Sequence, residues 1–73
     1  MTTRAEHLAW TKERALEYVA KGDLAQAHAS LCSDLRKHPD TMGAWDVASG
    51  EIGLFELVNG TPATFRRFVE GFQ

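Results

Sequence analysis

The sequence predicts an all-α fold: four short helices arranged as two helical hairpins. Three observations carry that expectation. Apolar residues recur at helical spacing through four stretches of the chain. Helix punctuation separates those stretches at Gly22-Asp23, at Pro39 and at Asn59-Gly60-Thr61-Pro62. No stretch alternates polar and apolar residues as a half-buried strand would.

Thr3-Arg4-Ala5-Glu6 matches a capping box, in which the threonine hydroxyl takes the amide of Glu6 and the carboxylate reaches back. Helix one is expected to follow from about Arg4 to Lys21, with Ala5, Leu8, Ala15, Leu16 and Val19 on its apolar face. Gly22 lacks the Cβ that opposes a left-handed helix end. Asp23 then caps helix two, which runs to His38 with Leu24, Ala27, His28, Leu31 and Leu35 facing inward. Lys37 and His38 suit the negative end of its dipole, and Pro39 stops it.

Helix three is expected from about Gly43 to Val58, capped by Asp40 or Thr41 and frayed or broken before Asp46. Gly43, Gly50 and Gly53 each weaken it by about 1 kcal/mol relative to alanine. Its stripe of Trp45, Ala48, Ile52, Phe55 and Val58 lies in a helix apolar over most of its circumference, which predicts the most buried element. Thr61 and Pro62 open helix four as N-cap and first-turn proline. Phe65, Phe68, Val69 and Phe72 form one side of that helix, a seam suited to closing the core.

Tyr18, Gly22-Asp23, Leu24, Ala27, Leu31 and Pro39 fall at the spacings of a tetratricopeptide repeat, which this stretch resembles. Arg14 and Ala15 depart from the motif's Leu-Gly, and Trp10 stands one position out of phase. A fainter second copy sets Ile52-Gly53 and Gly60 at equivalent positions, with Phe65 where a small residue belongs. The two hairpins therefore pack either as a tetratricopeptide-like pair or as a compact four-helix bundle.

The chain also resembles a group of small helical proteins encoded by bacteriophages and prophages. The segments "TRAEHLAW", "ALEYV", "GDLAQA", "SDLRKHPD" and "FVEGF" carry that likeness. It implies an accessory factor in a bacterial cytoplasm and brings no activity, cofactor or catalytic residue with it.

Composition narrows function mainly by exclusion. The 73 residues make one domain, 44% hydrophobic and 25% charged, as ordinary globular chains are. Such a chain buries only about 60% of its unfolded surface, and a stability of roughly 3–5 kcal/mol is expected. Cys32 is the lone cysteine, so no internal disulfide forms. No apolar run is long enough to span a bilayer, and no secretory leader pattern opens the chain. A cytoplasmic protein without membrane attachment is the expectation.

No cofactor or metal is expected, and no enzymatic role. His28 and Cys32 share a face at i, i+4, the spacing of a thiolate–imidazole pair or of two metal ligands. Their place on the apolar stripe favours a core histidine beside a small hydrophobe. Arg36, Lys37, Arg66 and Arg67 are the candidates for a small nucleic-acid regulator, an alternative that the net charge of −2 weakens. Trp10 falls opposite Leu8 and Val19, beside Glu6, Glu13 and Glu17. It either packs under the C-terminal helix or chain terminus, or marks an interface hot spot. The expected function is a protein-binding accessory module, engaging a host or phage protein through that stripe of helix one. A homodimer, or a subunit of a phage assembly, is also in view.

Overall fold

The computed structural model describes residues 3–73, and over that span it is all-helical, with five α-helices and no strand. Helix α1 spans Arg4–Ala20 and α2 Leu24–Leu35. A single 3₁₀ turn, Pro39–Thr41, leads into α3 (Met42–Ser49), α4 (Glu51–Asn59) and α5 (Pro62–Glu70). The count is one more than the sequence predicts, because the expected third helix is two.

The predicted punctuation is present at most corners. Thr3 Oγ1 accepts the Glu6 amide at 3.2 Å, and the Glu6 carboxylate answers, completing the capping box. Gly22 holds φ +75°, the left-handed conformation that a Cβ would oppose. Asp23 Oδ1 accepts the Gln26 amide at 3.1 Å, and Thr61 caps α5 over Pro62. Helix α2 ends at Leu35 rather than His38. The Thr41 hydroxyl donates to Leu35 O at 2.6 Å, satisfying a carbonyl left open at the helix end. Pro39 therefore opens a turn instead of simply stopping a helix.

Gly50 divides the third helix. With φ −86° and ψ −165° it is the C-cap of α3 and the N-cap of α4 at once. Gly50 has no side chain with which to cap the start of α4, and side chains from elsewhere serve the end of α3. Ser49 Oγ donates back to Trp45 O at 2.7 Å, the i to i−4 bond that often bends a helix. The Ala48 carbonyl, just before the break, receives the His28 ring nitrogen Nε2 at 2.8 Å. His28 thus fastens α2 to the corner between α3 and α4.

One core holds the helices together. Leu8, Ala15 and Val19 of α1 meet Ala27, Leu31 and Leu35 of α2, with Ala48 joining from α3. Helix α5 packs on both α1 and α2 and seals this core with Phe65 and Val69, and Phe72 just past its end completes the lid that the seam predicts. Lys12 Nζ, donating to Glu70 O at 3.1 Å, ties α1 to the negative end of α5.

Two parts of the predicted core are corrected. On α1, Ala5 is exposed, whereas His7 and Thr11 are buried, so the inward face is rotated toward α2. On the third helix, Ile52, Phe55 and Val58 are exposed and not buried. The break re-aims α4 so that Gly53 meets the core and Leu57 is half covered, and the remaining sides face outward.

Thr11 Oγ1 is buried and has no hydrogen-bond partner among the described residues. Thr11→Val keeps the β-branched shape and removes an unsatisfied hydroxyl, which costs about 1–3 kcal/mol when buried. Urea titration of this variant is expected to show unchanged or higher stability. A clear loss of stability would mean that the hydroxyl is satisfied after all.

Candidate functional site

Glu6, Trp10, Glu13 and Glu17 all lie exposed on α1, but different neighbours engage them. Trp10 remains 40% exposed, but it turns toward the edge between α1 and α2. Its ring lies 5.5 Å from that of His7, with the Arg14 guanidinium 4.8 Å and the Lys37 ammonium 5.5 Å from its centroid. The face of the ring thus holds cations. Glu6 closes the capping box. Glu13 and Glu17 border an open groove toward α5, where Glu70 joins them around Leu16 and Ala20.

What organises the Trp10 edge is a residue outside the predicted site. Asp34 on α2 is 1% exposed and binds Arg14 Nε at 2.9 Å and Lys37 Nζ at 3.0 Å. The same two cations lie over Trp10, so the buried carboxylate sets where they stand. His7 Nε2 donates to the Asp34 carbonyl at 2.7 Å, and the His7 ring is 5.3 Å from His38. In sequence Asp34 reads as an ordinary polar residue late in a helix. Its i, i+3 spacing to Lys37 was the one available signal.

The four basic residues of the nucleic-acid alternative are dispersed. Arg36 lies 5.3 Å over the Trp45 ring, and Lys37 is held by Asp34. Arg66 Nε is 3.7 Å from Glu70, while Arg67 borders a different groove beside Phe68 and Phe72. Arg36–Lys37, Arg66 and Arg67 each line a separate depression of the surface.

The His28–Cys32 pair does come together, with Sγ and Nε2 3.6 Å apart. That nitrogen carries the proton it donates to Ala48 O, so it cannot accept one from the thiol. Burial pushes the Cys32 thiol up from its ordinary value, away from the reactive thiolate. The arrangement is a structural clamp. Among the described residues, no three His, Cys, Asp or Glu side chains gather as a metal site would need.

The feature most unlike an ordinary surface is α4. Phe55 is 63% and Val58 78% exposed, flanked by exposed Ile52 and Leu54, and Val47 continues the apolar strip onto α3. The sequence does hold a signal for this. A helix apolar on nearly all sides needs cover all round, and here only the Gly53 and Leu57 side of α4 meets the core.

Comparison with protein-family models, curated proteins and solved structures found no match to this chain. No helix among the described residues is long and apolar enough to cross a membrane.

Proposed function

We propose that the chain is a protein-binding module that docks through α4, rather than through the Trp10–glutamate stripe of helix one. One observation carries the reading: a nine-residue helix that leaves Ile52, Leu54, Phe55 and Val58 in solvent. Folded monomers rarely keep contiguous apolar patches beyond a few hundred Å² unless something covers them. Trp10 has a smaller role in this reading, since its faces already hold Arg14 and Lys37. The resemblance to phage-encoded accessory proteins supports a partner inside a bacterial cell. Dispersal of the basic residues weighs against nucleic acid.

A photo-crosslinking residue placed at Phe55, and separately at Trp10, tests this in bacterial cells producing the protein. Crosslinks to a protein are expected from position 55 and not from position 10. Crosslinks from position 10 alone would restore helix one as the docking surface. None from either position would remove the binding-module reading.

A further inference from the structure

The surface that includes α4 has two chemically opposite ends. From Met42 to Gly60 the chain carries Asp46, Glu51 and Glu56 and no lysine, arginine or histidine. The charges that α3 and α4 themselves bring to the apolar strip are therefore all carboxylates. Between α3 and α5 lies an open groove of about 600 Å³, apolar along Val47, Phe68 and Phe72 and basic at Arg4 and Arg67. Arg4 is occupied, donating to the Asp40 and Gln73 carbonyls, but Arg67 makes no ion pair among the described residues. Val47 borders both this groove and the depression running along Asp46, Gly50 and Ile52. The basic groove and the acidic-rimmed strip are one continuous surface.

We infer that the occupant of α4 is a second copy of this chain, the two related by a two-fold axis near Val47. This rests on the reading of α4 as a docking face. A surface with a basic groove at one end and an acidic apolar ridge at the other is complementary to itself when rotated by half a turn. Each α4 then lies in the partner's groove, and every contact occurs twice. Phe55 and Ile52 leave water against apolar side chains, and Glu51 of each copy faces Arg67 of the other. A direct α4-on-α4 pairing would instead oppose carboxylates with carboxylates.

The area agrees. Ile52, Leu54, Phe55, Val58 and Val47 expose roughly 500 Å² of side chain, so two copies cover roughly 1,000 Å² before the grooves are counted, near the lower bound for a specific interface. A weak dimer, half-formed in the micromolar range, is the expectation.

Sedimentation of the full chain from about 1 µM to about 1 mM is the test, read against the monomer mass of 8.1 kDa. The mass should rise toward twice that value, with the melting temperature rising alongside it. F55E should hold the protein monomeric with an unchanged circular dichroism spectrum, since Phe55 touches little of the core. E51R and R67E should each weaken association about 10-fold or more, and the double variant should recover most of the loss. If F55E does not fold, the charge-reversal set decides alone.

A wild type that stays monomeric throughout would overturn the second copy as occupant. Crosslinks from position 55 to another protein would then still uphold α4 as a docking face. A dimer indifferent to F55E and to both charge reversals would place the interface elsewhere and overturn the inference as well.

Discussion

Gly53→Ala is expected to destabilise the protein by about 2 kcal/mol, lowering its melting temperature by roughly 10 °C. A Cβ on Gly53 would lie 1.8 Å from the Ala48 carbonyl oxygen and 2.5 Å from its carbon. Both are backbone atoms, so no side chain can swing aside. Ala48 cannot retreat either, being fully buried with its carbonyl held by His28. Alanine's better helix propensity opposes this with about 1 kcal/mol, which is smaller than the cost of forcing the α3–α4 corner apart. Gly43→Ala is the internal control. Nothing lies within 4 Å of a Cβ there, so propensity acts alone and the variant should gain up to about 1 kcal/mol. Thermal melts followed at the helical dichroism band check both. If Gly53→Ala melts higher than wild type, the corner is not tightly closed and α4 is free to realign.

Asp34→Ala is expected to cost about 2–3 kcal/mol, a large share of the stability of so small a domain. The carboxylate is out of contact with water and accepts from Arg14, Lys37 and Ser30. Those charge-assisted bonds offset its desolvation, and alanine removes them while leaving a void. The loss stays below that of a fully buried pair, because Arg14 and Lys37 are each about half exposed and regain water. Asp34→Asn, which keeps the shape and some hydrogen bonds, should fall between the two. The spectroscopic readout is separate from stability. With Trp45 replaced by Phe, Trp10 fluorescence should change in Asp34→Ala as Arg14 and Lys37 leave its face. Unchanged emission would mean that the cations hold to the indole without Asp34.

The two variants probe different kinds of information. Gly22, Asp23, Thr3 and the Thr61-Pro62 pair act on backbone within a few residues of themselves, so their corners are legible in sequence and present in the structure. The seam of Phe65, Phe68, Val69 and Phe72 is legible for a similar reason, since helical periodicity gathers it on one side whatever it packs against. Trp10 shows where such reading stops. A helical wheel places it among glutamates, but Arg14 and Lys37 on its other flank are drawn over the ring by Asp34 from a different helix.

The third helix marks the same boundary. Its glycines and its apolar character are written in the chain, but whether it runs straight or breaks at Gly50 depends on distant partners. His28 has to reach the Ala48 carbonyl, and Gly53 has to admit it closely, before the break is stable. By itself the sequence determined an all-α fold, the corner chemistry, and the helix that seals the core. Only the tertiary structure decided that the third helix is two, that Asp34 governs the Trp10 edge, and that α4 turns Phe55 and Val58 to solvent. The reason is range: caps, turns and periodicity act through neighbours along the chain. The direction in which a helix faces is set by contacts that exist only once the chain has folded.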